Sequence, residues 1–297
     1  MSEGTHVIHP ANHRAMLHAG FRVRTVPSPH GEIKVYDAKG DPNRPTLVLI
    51  HGVSGRASNF ARVAIPLLPR CGRIVIPDLL GHGASFVPQD GLRVQAIAES
   101  LITTLDDIVP EPMVIAGNSM GGLIAGLFVA ERPWRVRGLF LSNPGGAPVD
   151  DAVFYDVVDL LTPTNYAEAL RLAEAGSSYR SRLILHLGAL RILFNLGQPH
   201  IRDFILTARP DESLSPEQVS RLAMPILLVT GQDDGVIPDQ TIAWYRANLP
   251  AHAEIEEVAL YGHAPMSERP RVFTQYIRDF LARLDTSAKH GDLAAAS

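Results

Sequence analysis

The sequence is poor in cysteine and in long apolar runs. Cys71 is the single cysteine among 297 residues, which excludes an intrachain disulfide and favours a reducing compartment. No run of about eighteen apolar residues occurs, so we expect no stable membrane insertion. The N-terminal residues lack the continuous apolar stretch of a secretory signal, and we therefore expect a cytoplasmic protein.

Clustered charge of one sign is also absent. The chain carries 27 Lys and Arg against 31 Asp and Glu, a net charge of −4, without a block of like charge. This pattern excludes the basic patch typical of proteins that bind nucleic acid. A hydrophobic content of 46% is that of a compact globular protein. We expect a small-molecule partner, and a monomer or homodimer.

Four histidines lie near the N-terminus, namely His6, His9, His13 and His18. No cysteine or acidic cluster accompanies them at the spacing of metal ligands. The sequence therefore predicts a solvated terminus and no metal site.

Short β-rich runs alternate with helical segments, which is typical of α/β proteins. Eight runs are predicted strands: FRVRTV, GEIKVYDA, PTLVLIHG, RIVIPD, PMVIAGNS, VRGLFLSN, MPILLVTG and HAEIEEVAL. The continuous Leu/Val/Ile of the third run indicates a strand buried on both faces. We expect the sheet to begin antiparallel, to continue parallel and to be flanked by helices.

The strand pattern is interrupted once. Residues 149–222 have apolar residues at helical spacing, and we predict an inserted helical cap there. The predicted α/β core consists of residues 21–148 and 223–284. Residues 1–20 form an N-terminal extension, and residues 285–297 are expected to be a disordered tail.

The segment from Gly117 to Gly121 places Ser119 between two glycines, after a predicted strand and before a predicted helix. A nucleophile at such a strand-to-helix elbow sits on strained backbone, where glycine neighbours relieve crowding. The turn also brings backbone N–H groups to a helix N-terminus, where developing negative charge is favoured. The plain alternative is a polar residue in a glycine-rich loop, and the flanking strand and helix favour the nucleophile.

A serine nucleophile needs a base that takes its proton and an acid that orients the base. In a strand–elbow–helix arrangement the chain order is serine, acid, histidine. Asp233 or Asp234 follows one predicted strand, and His263 follows the next. Ligand crevices form at these carboxyl ends of parallel strands. His51 precedes the nucleophile, and we expect it to have a structural role in its own loop.

Five segments, in order, resemble the signatures of the α/β-hydrolase superfamily: HGVSGRASNF, PDLLGHGAS, GNSMGG, GQDDGVIP and GHAPMSERP. The resemblance covers about residues 21 to 284 and implies the α/β-hydrolase fold, a mostly parallel eight-stranded sheet with a helical cap. It implies a catalytic triad of Ser119, Asp234 and His263. It also implies an oxyanion hole formed by the backbone N–H groups of Val53 and Met120.

Within the superfamily, GNSMGGLIAG and LFLSNPGGAP look most similar to bacterial lipases and esterases related to monoacylglycerol lipases. GNSMGG also resembles the hydrolases that cleave carbon–carbon bonds in meta-cleavage products of aromatic degradation. Those enzymes usually carry a tryptophan after the catalytic histidine, where this chain has Ala264.

The sequence therefore predicts a serine esterase or lipase, a carboxylic ester hydrolase that needs no cofactor. Its substrate is expected to be a short- to medium-chain acyl ester or a monoacylglycerol-like ester. The carbon–carbon hydrolase is the alternative of the same fold. A ligand-binding homologue without catalytic turnover is the alternative of another class.

The cap is expected to decide which substrate enters. Its apolar side chains offer surface to an acyl chain, although for any single one of them helical spacing favours packing onto the core. They are Leu160, Leu161, Leu183, Leu185, Leu187, Leu190, Ile192, Leu193 and Phe194. Arg180, Arg182 and Arg191 either bind a carboxylate or form a solvated helix face. The residues that contact substrate stay open at this point.

Overall fold

The computed structural model describes residues 10–179 and 181–295, and an eight-stranded sheet forms its centre. The strands are β1 (Arg22–Val26), β2 (Ile33–Lys39), β3 (Thr46–Ile50), β4 (Arg73–Pro77), β5 (Met113–Ser119), β6 (Val136–Pro144), β7 (Ile226–Gly231) and β8 (Glu254–Val258). Their spatial order is β1-β2-β4-β3-β5-β6-β7-β8. β2 pairs antiparallel with β1 and β4, and the remaining pairs are parallel. The predicted α/β fold with a mostly parallel eight-stranded sheet is confirmed.

Helices flank the sheet and form the cap. In the part of the chain that the structure describes they are α1 (Pro10–His18), α2 (Ala61–Leu67), α3 (Val94–Ile108), α4 (Met120–Glu131), α5 (Asp151–Leu160), α6 (Tyr166–Ala175), α7 (Arg182–Leu196), α8 (Pro199–Leu206), α9 (Pro216–Ser220), α10 (Asp239–Asn248), α11 (Pro265–Glu268) and α12 (Pro270–Ala295). The five helices α5 to α9 lie between β6 and β7, and we call these helices and the segments that join them the cap. They fall within the predicted insertion 149–222, whose boundaries stay a prediction.

β3 shows why the sheet strands are continuously apolar. All five of its side chains are buried. Leu47 and Leu49 belong to the core cluster that contains residues of α1, α2 and α12, whereas Val48 and Ile50 belong to the cluster with α3 and α4. Successive strand residues point to opposite faces of a sheet. A strand covered by helices on both faces therefore needs apolar residues at nearly all positions, and the polar exception, Thr46, donates a hydrogen bond to the Glu111 carboxylate.

The N-terminal extension is only partly the solvated terminus that the sequence predicts. Met16 on α1 is fully buried in the core cluster with α2 and α12. The His13 imidazole lies within hydrogen-bond distance of the Tyr36 hydroxyl, Nδ1 to Oη 2.6 Å. A second polar contact runs from the Asn12 side chain to a backbone carbonyl, and these two contacts together with the burial of Met16 hold α1 against the core. His6 and His9 lie outside the described residues.

The C-terminal helix is longer than the sequence predicts. Regular structure was expected to end at Leu284, whereas α12 continues to Ala295. The segment after Leu284 contains no proline and has several alanines, which favour helix. Along residues 10–179 and 181–295, no helix has both the length and the apolar composition needed to cross a membrane.

Candidate active site

Ser119 lies at the elbow between β5 and α4. It is the last residue of β5 and directly precedes the helix, with φ 56° and ψ −126°. A positive φ is rare for a residue with a side chain and costs about 1–3 kcal/mol. The backbone N–H of Gly145 donates to the Ser119 carbonyl over 3.0 Å, which helps to hold this conformation. The strained backbone presents the hydroxyl at the carboxyl edge of the sheet.

The glycines on either side of Ser119 are required by close backbone contacts. A Cβ atom at Gly117 would lie 2.2 Å from the Gly121 carbonyl oxygen. A Cβ atom at Gly121 would lie 2.3 Å from the Ile50 carbonyl oxygen. Both distances are too short for any side chain, so the elbow can pack against β3 only with glycine at these positions.

Ser119, His263 and Asp234 form one chain of hydrogen bonds. His263 Nε2 lies 3.0 Å from Ser119 Oγ, and His263 Nδ1 lies 2.9 Å from Asp234 Oδ2. The other carboxylate oxygen of Asp234 accepts the backbone N–H groups of Val236 and Ile237, over 2.8 and 3.2 Å. Since a carboxylate oxygen accepts, Nδ1 donates to it, and Nε2 is left to accept the proton of the serine hydroxyl.

The electrostatic surroundings of His263 favour its protonated form. Burial by itself lowers the pKa of the imidazole, but the charge of Asp234, its hydrogen bond and the charge of Glu268 raise it. The net result is a pKa above the ordinary value for histidine. A base with a raised pKa accepts a proton readily, provided that the pH keeps it neutral beforehand.

Two buried asparagines hold the backbone of His263. Asn118 Nδ2 donates to the carbonyl oxygens of Ser142 and His263, each over 3.0 Å. Asn143 Nδ2 donates to the Gly262 carbonyl over 2.8 Å, while its Oδ1 accepts the Gly231 N–H over 2.8 Å. The β5–β6 register shifts at this point, and Asn143 has φ 42°. This bulge turns its amide toward the ends of β7 and of the loop that carries His263.

Asn143 is a site residue that was not predicted from the sequence. One feature of the sequence could have indicated it: Asn143 lies at the end of the predicted strand that follows β5 along the chain. Neighbouring parallel strands end at the same sheet edge.

The loop after β3 packs directly against Ser119. A Cβ atom on Gly52 would lie 2.9 Å from Ser119 Cβ, and Val53 follows Gly52 in this loop. Met120 is the first residue of α4, so its N–H has no acceptor within the helix. The structure thus brings the backbone of the two predicted oxyanion-hole residues to the nucleophile from two sides.

The side chains of His51 and Asp78 stabilise this loop by accepting hydrogen bonds from backbone N–H groups. His51 Nε2 accepts the Leu79 N–H over 3.0 Å, and burial, followed by the neighbouring His82, lowers the pKa of His51 to about 3. The Asp78 carboxylate accepts the N–H groups of Ala57 and Ala84, over 2.6 and 2.8 Å. Neither side chain reaches Ser119 through a hydrogen bond. Their contacts are those of residues that shape the loop.

A cavity of about 470 Å³ opens onto Ser119 and His263. Its volume is in the range that holds a small ligand. The cap supplies much of its apolar wall through Leu161, Leu172, Leu185, Leu187, Ile192 and Leu196. Polar side chains that line it include Asn59, Tyr179, Arg191, Asn195 and Glu268.

Some of the predicted cap residues therefore line the cavity and others do not. Leu161, Leu185, Leu187 and Ile192 do, whereas Leu183 and Leu190 are exposed on α7 outside it. Of the three arginines, Arg191 lines the cavity, Arg182 does not, and Arg180 lies outside the described residues. Leu172 and Leu196 were not singled out from the sequence. In the described residues, no group of three His, Cys, Asp or Glu side chains is arranged to hold a metal ion.

Comparison with known proteins identifies relatives of two kinds. A 2-hydroxymuconate semialdehyde hydrolase from Pseudomonas sp. strain CF600 is 28% identical, over 82% of this chain and 88% of the relative. A monoacylglycerol lipase from Xenopus laevis is 25% identical, over 89% of this chain and 83% of the relative. A crystal structure of a bacterial membrane phospholipase A superposes with a TM-score of 0.78 at 25% identity and covers 93% of this chain and 90% of that one.

The family comparison agrees with the fold and with the order of the motifs along the chain. Residues 47–275 match the model of the alpha/beta hydrolase family. The match begins in β3, before the elbow, and ends in α12, beyond the loop that carries His263. It therefore spans most of the chain, and the protein belongs to the alpha/beta hydrolase family.

Proposed function

We propose that the protein hydrolyses carboxylic esters through an acyl-enzyme intermediate. The observation that carries this proposal is the hydrogen-bonded chain from Ser119 through His263 to Asp234, facing a largely apolar cavity. Lipases among the relatives support the same chemistry.

The geometry supports a defined sequence of steps. Ser119 Oγ attacks the ester carbonyl carbon while His263 Nε2 takes its proton, and Asp234 keeps the imidazole in the required tautomer. The N–H groups of Val53 and Met120 stabilise the oxyanion, and one such donor contributes about 3–4 kcal/mol. His263 then protonates the leaving alcohol. A water molecule, deprotonated by the same imidazole, releases the acid and restores Ser119.

The cavity supports an apolar acyl group of moderate length. Leucine and isoleucine side chains of the cap lie along it, and each buried methylene of a ligand contributes about 0.8 kcal/mol. We therefore propose a short- to medium-chain acyl ester or a monoacylglycerol-like ester as substrate.

A chain-length series tests this function. We expect the purified protein to hydrolyse p-nitrophenyl esters with a kcat/KM that rises from acetate through butyrate to octanoate, because each added methylene contacts the apolar wall of the cavity. A meta-cleavage dienoate serves as the competing substrate in the same buffer. A higher kcat/KM for the dienoate than for every ester would contradict the proposal. Labelling of Ser119 by a fluorophosphonate without turnover of any substrate would favour the ligand-binding alternative.

Carbon–carbon bond hydrolysis is a second candidate, favoured by one observation. The Arg191 side chain lines the cavity, where a guanidinium can bind the carboxylate of a dienoate in a bidentate manner. The 2-hydroxymuconate semialdehyde hydrolase relative supports it, whereas Ala264 in place of the usual tryptophan opposes it.

Two arginine variants distinguish carbon–carbon bond hydrolysis from ester hydrolysis. Under the second candidate we expect Arg191→Leu to raise KM for the dienoate about 10- to 100-fold, since a hydrogen bond to a charged group contributes about 1.5–3 kcal/mol. Under the ester proposal the same variant changes kcat/KM for p-nitrophenyl butyrate less than about threefold. Arg182→Leu is the matched control, because Arg182 is on the same helix but does not line the cavity. Steady-state kinetics of both variants on both substrates give the answer.

A further inference from the structure

The end of cap helix α6 is bonded to both loops that carry the candidate base and acid. The backbone N–H of Gly235, next to Asp234, donates to the Ala175 carbonyl over 2.8 Å. The backbone N–H of His263 itself donates to the Gly176 carbonyl over 2.8 Å. The last carbonyls of a helix have no partner within the helix. Here the two catalytic loops supply the missing donors.

The contact between this part of the cap and the histidine loop is backbone against backbone. A Cβ atom on Gly262 would lie 2.6 Å from the Gly176 carbonyl oxygen and 2.8 Å from the Ser178 nitrogen. No side chain fits between the two segments. A displacement of residues 175–179, which we call the 175–179 segment, is therefore transmitted directly to His263.

Glu268 holds the 175–179 segment in this position. Its Oε2 atom accepts the Ser178 N–H over 3.0 Å and the Ser178 hydroxyl over 2.8 Å. The Tyr179 hydroxyl donates to the Glu268 backbone carbonyl, and the Arg269 guanidinium lies 5.4 Å from the centre of the Tyr179 ring. Ser178 is only 3% exposed, so these hydrogen bonds are shielded from water.

Glu268 also contributes charge at His263. Two carboxylates act on the imidazole, Asp234 from the loop after β7 and Glu268 from α11. From the cap, α6 contributes only the carbonyls at its C-terminal end, where a cation is favoured by the helix dipole. From β5, the uncharged hydroxyl of Ser119 lies against the imidazole of His263. Burial lowers the pKa of His263, and the charge and hydrogen bond of Asp234 raise it. The charge of Glu268 raises this pKa further.

We propose that the 175–179 segment of the cap is part of the catalytic scaffold and that Glu268 is a positioning residue. Through Ser178 it fixes the segment against His263 and the loop of Asp234, and its charge favours the imidazolium that forms when Ser119 is deprotonated. This inference rests on the proposed function, since it assigns a task to the base of that reaction. The cap then has a catalytic task in addition to substrate selection.

Three variants separate the two contributions of Glu268. Glu268→Gln removes the charge while an amide oxygen can still accept from Ser178. Ser178→Ala keeps the charge and removes one hydrogen bond. Glu268→Ala removes both. Glu254→Gln is the matched charge control, because Glu254 is the first residue of β8, at the sheet edge opposite the site, and its side chain is 54% exposed.

We expect Glu268→Gln to shift the acidic limb of the kcat/KM profile to lower pH by several tenths of a unit, because the pKa of His263 falls. Titration of the His263 imidazole by NMR should show the same shift without any substrate. Ser178→Ala should leave that limb in place and lower kcat several-fold with little change in KM. Glu268→Ala should show both effects, and Glu254→Gln neither.

A merely structural Glu268 would lower the melting temperature without moving the imidazole titration or kcat. That outcome in a folded Glu268→Gln protein, together with wild-type kcat in Ser178→Ala, would overturn the inference. Failure of the ester proposal is a different result, namely a wild-type protein with no Ser119-dependent hydrolysis. The NMR titration still decides the charge contribution in that case.

Discussion

Replacement of Ser119 by alanine is expected to lower kcat for p-nitrophenyl butyrate by about 10⁴-fold or more. Under the proposed mechanism, His263 Nε2 takes the proton of this hydroxyl, which lies 3.0 Å away, and so creates the nucleophile that attacks the ester. The proposed oxyanion donors and the cavity are unchanged in the variant, so the remaining rate should reflect only binding and polarisation of the ester. Active-site-titrated kinetics and loss of fluorophosphonate labelling measure the effect.

Ser100→Ala is the matched control for the loss of a buried hydroxyl. Ser100 is fully buried on α3, and its hydroxyl has no hydrogen-bond partner among the described residues. We expect wild-type kinetics and an unchanged or slightly higher free energy of unfolding, because no hydrogen bond is lost. Full activity of purified Ser119→Ala, with mass spectrometry excluding wild-type contamination, would refute the assignment of the nucleophile.

Replacement of Asp234 by asparagine is expected to lower kcat by about 10⁴-fold while the fold persists. An amide oxygen can still accept the backbone N–H of Val236, so the loop keeps its hydrogen bond. The amide NH₂ group then faces His263 Nδ1, and the imidazole adopts the tautomer with its proton on Nε2. A protonated Nε2 cannot accept the proton of Ser119.

Asp233→Asn makes the same chemical change one residue earlier. His263 Nδ1 is bonded to Asp234 and not to Asp233, so we expect less than about a threefold change in kcat for this control. Circular dichroism and thermal melts establish that both variants fold. Comparable losses of kcat in the two variants would contradict the assignment of the acid to Asp234. Either of the two neighbouring aspartates could then be the acid.

The strands and the elbow were predictable because they depend on local sequence. A strand covered on both faces, such as β3, is apolar at nearly every position, and its run of Leu, Val and Ile is visible in the sequence alone. The glycines around Ser119 mark a backbone crowded by Gly121 and Ile50 carbonyls, and only glycine fits there. The chain order of Ser119, the aspartate pair and His263 followed from the strand ends.

The chain ends were predicted less well, for physical reasons. Burial of Met16 depends on a core cluster that includes residues of α2 and α12, which are distant from it in sequence. A single apolar residue in a polar segment gives no periodic signal. At the other end, α12 continues through a segment that has no apolar periodicity and contains Gly291. Extending an existing helix costs less free energy than starting a new one, so a segment of mixed helix propensity can still be helical there.

The sequence by itself determined the α/β class, the strand pattern and the candidate nucleophile, base and acid loop, since each is encoded in contiguous residues. Only the tertiary structure decided which cap residues face Ser119 and that Asn143, Glu268 and the end of α6 bear on His263. Those contacts join strand ends, a short helix and an inserted cap that are far apart along the chain. Local propensity and periodicity carry no information about such long-range contacts, because these contacts form only when the folded chain packs.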